Sequence, residues 1–117
     1  MQDDTLPSDQ ETDPHGKSPH QSGSKLDSGK NRLGLLMKDF NQALWEVGLV
    51  TTYGAEKYTD SGWKDVPDAE RRYMDAALRH IMMHLGGEDW DEESKCQHLA
   101  HAAWNILAVI QLPYEHQ

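Results

Sequence analysis

Residues 71–105 read RRYMDAALRHIMMHLGGEDWDEESKCQHLAHAAWN. Met74, Leu78, Ile81 and Leu85 recur at three- and four-residue spacing, which predicts a helix with one apolar stripe. Pro67 and Asp68 introduce it and the Gly86-Gly87 pair ends it. A last helix is predicted from about Glu93 or Ser94 to Leu112, stopped by Pro113. Upstream, apolar or small residues at 40, 44, 47, 51 and 55 predict a helix from about Asp39 to Tyr58, with Asp39 as N-cap. Gly48 and Gly54 weaken it, and Gly54 marks either a break or a close contact. Leu33, Leu35, Leu36 and Met37 begin a short segment before it, and residues 59–67 form a loop. No segment sustains the period-two alternation of a strand. The expected fold is all-α: a small bundle of three to four main helices.

Composition narrows the class. The 117 residues hold no repeat, which points to one small domain. A net charge of −9 argues against nucleic acid as a partner and suits a protein that gathers cations. The single Cys96 leaves no internal disulfide and no thiolate zinc site. No apolar run approaches the ~20 residues of a membrane span, and the acidic N-terminus is unlike a signal peptide. A soluble cytoplasmic protein without a membrane partner is expected. Three amphipathic helices make a thin core, so a homo-oligomer is expected to complete the bundle.

Residues 1 to about 30 contain only three large apolar side chains, Met1, Leu6 and Leu26. Such a segment buries too little surface to offset its ordering entropy. We place a disordered acidic tail at residues 1–24 and the helical domain at residues 25–114. Lys25, Asp27, Lys30 and Arg32 precede the first apolar run, either as a charged linker or as a segment that folds over a ligand.

Four of the seven histidines, His80, His84, His98 and His101, fall within residues 71–105. At ~100° per residue, Tyr73, Ala77, His80, His84 and Glu88 share one face, centred away from the apolar stripe. His98, His101 and Asn105 lie within roughly 60° of one another on the last helix, bordered by Ala102, Ala108 and Val109. A polar line flanked by apolar residues is half-buried, and each unpaired group there costs about 1–3 kcal/mol. The histidines therefore need partners: each other, a metal or a substrate. The bland alternatives are hydrogen-bonded structural histidines, a solvated acidic connection from Glu88 to Glu93, and a salt-bridged Arg72/Arg79 face. Trp63 is either a core plug or a base-stacking residue.

The segments Lys25-Leu-Asp27-Ser-Gly29-Lys30, Gly54-Ala55-Glu56-Lys57-Tyr58, Trp63, Arg72-Tyr73, Ala77-Leu78-Arg79-His80, Gly87-Glu88-Asp89-Trp90-Asp91-Glu92-Glu93-Ser94 and His98-Leu-Ala-His101-Ala-Ala-Trp-Asn105 occur in this order. Over roughly residues 24–112 this pattern resembles a phage-type family of dATP/dGTP pyrophosphohydrolases, relatives of the MazG-like all-α nucleoside triphosphate pyrophosphatases. The resemblance implies metal-dependent hydrolysis of a purine deoxynucleoside triphosphate to monophosphate and pyrophosphate. It implies a divalent ion: Mg²⁺ or Mn²⁺ where carboxylates dominate, with imidazoles shifting preference toward Co²⁺ or Zn²⁺. On that reading Glu88, Asp91, Glu93, His98 and His101 form the metal and water cluster. His80, Glu88 and His101 carry the acid–base chemistry, Lys30, Lys57 and Arg79 hold phosphate oxygens, and Asn105 contacts sugar or base. The last helix carries His98-x-x-His101 where MazG-like enzymes carry ExxD. The alternative is therefore a non-catalytic nucleotide- or metal-binding module, a sensor or sequestering protein. A purely structural helical oligomer is the third reading. The absence of a His-Asp dipeptide speaks against an HD-type phosphohydrolase.

Overall fold

In the computed structural model the described residues are 11–115, and they contain four α-helices and no strand. The helices are α1 (Leu33–Asp39), α2 (Asn41–Lys57), α3 (Ala69–Leu85) and α4 (His98–Glu115), with a 3-10 turn at Gly62–Asp65. None is long and apolar enough to cross a membrane. The chain divides into two compact units, one through Asp39 and one from Phe40.

The first unit has no helix before Leu33 among the described residues. Its organising group is Asp13, whose carboxylate accepts the backbone N–H of His15 and of Lys25, both at 2.7 Å. These bonds hold the carboxyl below the ordinary range, the Lys25 N–H foremost. Lys30 lies 3.5 Å from Glu11. The expected tail at residues 1–24 thus divides. Residues 1–10 lie outside the described residues, and residues 11–24 form turns tied to Asp13.

The second unit is built on an antiparallel α3–α4 pair. Tyr73 meets Trp104 at one end and His80 meets His98 at the other. α2 lies against the start of α4, where Val50 packs with Cys96 and Ala100, supported by Val47 and Trp104. Trp63, on the 3-10 turn, contacts Tyr73 and Trp104 edge-on and accepts the Tyr73 hydroxyl at its carbonyl, 2.7 Å away. Of the two readings of Trp63, the structure supports the core plug.

Three expected boundaries are corrected. Asp39 does not cap α2: it closes α1, and Phe40 occupies the N-cap without a side-chain bond. α4 begins at His98 rather than at Glu93 or Ser94. Residues 91–97 are closed on themselves by Asp91 N–H to Cys96 C=O and Lys95 N–H to Asp91 C=O, both 2.8 Å. Lys95 takes the left-handed conformation there (φ 62°), so no helix can pass through. Pro113 does not end α4, which continues to Glu115. In the last turn its missing N–H removes only one bond from a ladder already ending.

The direction of the helix faces differs most from expectation. Between α3 and α4 the polar line is inside and the apolar stripes are outside. Ala77, Ala100, Ala102 and Ala108 are buried with His98, His101 and Asn105. Met74, Leu78 and Leu85 on α3, and Leu99, Ile106 and Ile110 on α4, are exposed in the chain. Small side chains let the helices approach while the larger apolar ones point away.

Gly48 sits exposed in α2, and a Cβ there would meet no atom within 4 Å. Gly54 likewise sits within α2 with open space around it, neither a break nor a close contact. Gly48→Ala is expected to stabilise by about 0.5–1 kcal/mol and to raise the melting temperature by roughly 2–8 °C, read by circular dichroism.

Candidate functional site

The site is a layer of imidazoles between α3 and α4, closed by the 86–97 connection. Gly87, at φ 98°, turns the chain out of α3, and Glu88 N–H bonds back to the Met83 carbonyl at 3.1 Å. This returns Glu88 to His98, whose Nε2 lies 2.9 Å from Glu88 Oε2. The other ring nitrogen of His98, Nδ1, lies 2.9 Å from Nδ1 of His80. The rings of His80 and His101 stack at 4.5 Å between centroids and 8° between planes. His101 Nε2 lies 2.7 Å from Ser94 Oγ, itself 2.7 Å from Asp91 Oδ2. Tyr53 of α2 covers His101 edge-on at 6.3 Å.

The partners fix the tautomers. An ionised Glu88 only accepts, so His98 donates from Nε2–H, and neutral His98 presents a bare Nδ1. His80 must then donate from Nδ1–H, which leaves its Nε2 with a lone pair and no hydrogen-bond partner among the described residues. On the other branch Asp91 accepts the Ser94 hydroxyl and backbone N–H, at 2.7 and 2.8 Å. Those bonds hold its carboxyl below the ordinary range despite the opposing pull of burial. With its proton committed to Asp91, the Ser94 oxygen accepts from His101 Nε2–H, and His101 Nδ1 is the bare nitrogen. Burial lowers both pKa values, that of His80 to about 4, with the neighbouring imidazoles adding to the shift at His80. The neutral form is thus favoured at His80 and His101, each ring with one proton and one lone pair in a defined place. Such an arrangement can take a proton from a bound molecule and pass the charge toward Glu88.

The residues proposed from sequence do not all meet. His80, Glu88, His98, His101 and Asp91 share the layer. Glu93 points elsewhere, to Lys57 Nζ at 2.7 Å, an exposed pair that lowers the Glu93 pKa and raises that of Lys57. Tyr53 adjoins the pair, and its hydroxyl pKa is raised by Glu93. Arg79 is exposed, near enough for its charge to help depress the pKa of His80. Lys30 belongs to the first unit. Asn105 is buried and gives its amide N–H to the His101 carbonyl at 2.8 Å, a bond within α4. His84 lies 3.4 Å from Asp89.

Among the described residues no three His, Cys, Asp or Glu groups converge on a point that could hold a metal ion. The five expected ligands fall into three separate contacts: Glu88 with His98, Asp91 and His101 both on Ser94, and Glu93 on Lys57. As arranged, the donors do not fit a resident ion held by the chain alone. Sequence reasoning missed Ser94 and Tyr53. The spacing Asp91-x-x-Ser94, a carboxylate that can bond a hydroxyl and N–H three residues on, was the available signal for Ser94. Nothing local marks Tyr53.

The class so defined is a small all-α domain with a preorganised imidazole site between two helices. Residues 20–117 match the family described as dATP/dGTP diphosphohydrolase, N-terminal, and the chain belongs to that family. A protein of Salmonella phage PMBT28 named dATP/dGTP diphosphohydrolase is 32% identical over 91 residues, which cover 78% of this chain and 30% of that protein. The chain thus spans under a third of its relative's length. No solved structure matches it significantly.

Acidification tests the buried imidazoles. A His80 pKa near 4, below the ordinary 6.5, means the unfolded chain binds the extra proton first. Stability is full above pH 6.5 and falls as pH drops toward 4. The melting temperature should fall over that window, and less steeply in His80→Gln.

Proposed function

We propose that this domain hydrolyses purine deoxynucleoside triphosphates, dATP and dGTP, to the monophosphate and pyrophosphate, with a divalent ion. Family membership supports the substrate class. The observation that carries the chemistry is the chain Glu88–His98–His80, two contacts of 2.9 Å, whose assigned tautomers leave a lone pair on His80 Nε2. In this reading a water held at His80 Nε2 gives up its proton as its oxygen attacks the α-phosphorus in line. The bond to the β-phosphate bridge oxygen breaks, and pyrophosphate leaves. Positive charge on His80 spreads through His98 to Glu88, while stacked His101 and Tyr53 keep water from the ring faces. Lys57 and Arg79 supply cationic groups for phosphate oxygens.

A divalent ion would neutralise phosphate charge during the attack. Among the described residues no three-donor site is formed, so the ion would enter as the nucleotide's own complex, as Mg²⁺ commonly does with one or two carboxylates at most. The test is release of pyrophosphate from dATP and dGTP with Mg²⁺, Mn²⁺ or Co²⁺. Loss of a general base lowers rates by about 10²–10⁴, so His80→Gln should lose that much kcat and Glu88→Gln a smaller part. No pyrophosphate under any of the three ions would overturn the reading.

A second copy of the chain belongs to the same reading. The exposed stripes Met74, Leu78 and Leu85 on α3 and Leu99, Ile106 and Ile110 on α4 support a homo-oligomer that covers them. Leu78→Glu with Ile110→Glu should reduce the sedimenting mass to that of one chain. A wild-type protein already sedimenting as one chain would remove this part.

A further inference from the structure

Beside the imidazole layer lies a pocket of about 290 Å³, lined by His84, Asp89, Trp90, Gln97 and Leu99. That volume is at the lower edge of small-molecule sites, about 300–1,000 Å³. Each wall adjoins a member of the layer in sequence: His84 is one turn, ~6 Å, beyond His80, Asp89 follows Glu88, and Leu99 follows His98. In space the link is the Asp89 carbonyl, which accepts His98 N–H at 2.9 Å, so this pocket is the recess next to the layer.

The lining selects among groups. It holds no Lys or Arg and one carboxylate, so it is a poor seat for phosphate. It offers a flat indole, a leucine, and the polar ends of Asp89 and Gln97, which suit an uncharged heteroaromatic ring with donors on its edge. Trp63, Tyr73 and Trp104 are spent on packing one another. Trp90 is different: it stays 53% exposed although its backbone is pinned by a bridge to Gln97. Its neighbours are fixed as well, by Asp91 N–H to Cys96 C=O at 2.8 Å and His98 N–H to Asp89 C=O at 2.9 Å. A half-open indole carried on a pinned backbone offers a stacking surface. Asp89 shares only one oxygen with His84, at 3.4 Å.

We propose that this pocket seats the purine base, with Trp90 as the stacking surface and Asp89 as the group that distinguishes guanine from adenine. The proposal rests on the nucleotide reading above and adds to it the residues that choose the base. The Asp89 carboxylate accepts the N1–H and 2-amino hydrogens of guanine. Adenine presents a bare N1 lone pair at the same edge, which a carboxylate repels. The Gln97 amide donates to O6 or N7 of the ring. Stacking serves both purines and the edge contact serves one.

The test measures kcat/KM for dGTP and dATP, and the Kd of dGMP and dAMP by calorimetry, for wild type, Asp89→Asn, Trp90→Ala and Trp90→Phe. Melting curves confirm that each variant folds. Wild type should favour the guanine nucleotides. Asp89→Asn should lower that preference by about tenfold or more, since a hydrogen bond to a charged group is lost. Trp90→Ala should raise KM and Kd for both purines by about 5- to 100-fold, and Trp90→Phe should restore most of the loss. The pocket assignment is overturned if folded Asp89→Asn keeps the wild-type guanine-to-adenine ratio within about twofold, or if Trp90→Ala binds as wild type does. It is equally overturned if folded wild type binds neither monophosphate. Failure of the hydrolysis reading looks different: no pyrophosphate appears, yet dGMP binds and the binding depends on Trp90 and Asp89.

Discussion

The stacked pair of neutral imidazoles, His80 against His101, is the constraint around which the second unit is arranged. Two rings 4.5 Å apart between helices must rest in the neutral form, because burial disfavours a proton on each and His101 adds to the effect at His80. That requirement dictates the surroundings. One ring needs an acceptor for its single N–H, supplied by His98 backed by Glu88. The other needs a hydroxyl oxygen already committed elsewhere, supplied by Ser94 backed by Asp91. Both carboxylates come from the connection, so its twelve residues act as the site's second wall. The alanines at 77, 100, 102 and 108 follow from the same demand, since only small neighbours let two helices close on a layer of flat rings.

Much of this was legible in the sequence. Helical periodicity located α2 and α3 to within a few residues, and the Gly86-Gly87 stop was real. The polar stripes of both helices were visible from angles alone. The start of α4 was hidden, because Glu92, Glu93 and Ser94 are ordinary first-turn residues. What excludes them is Asp91 bonding forward and Lys95 turning left-handed, features that no periodicity records. The inward face was hidden for a related reason. Apolar stripes are read as core-facing, but contacts within this chain run through Ala77 and the alanines of α4, leaving Leu78 and Ile110 outside.

At the site, sequence grouped His80, His98, His101, Glu88 and Asp91, which the structure brings into one layer, but could not pair them. Glu88, Asp91 and Glu93 look equivalent along the chain. In space they serve different partners, because the 89–97 closure sends Asp91 toward Ser94 and leaves Glu93 on the surface beside Lys57. Asn105, a ligand group by its spacing, is buried and gives its amide N–H to the His101 carbonyl of its own helix.

The outward-facing stripes also bear on how a lone polypeptide behaves in solution. Met82 and Leu85 stand about three-quarters uncovered, a surface that favours collapse onto any similar neighbour. The nine surplus negative charges oppose such encounters by mutual repulsion. That repulsion reaches only ~8 Å at physiological ionic strength and less in concentrated electrolyte. Added salt therefore strengthens association between such surfaces, and dilute buffer weakens it.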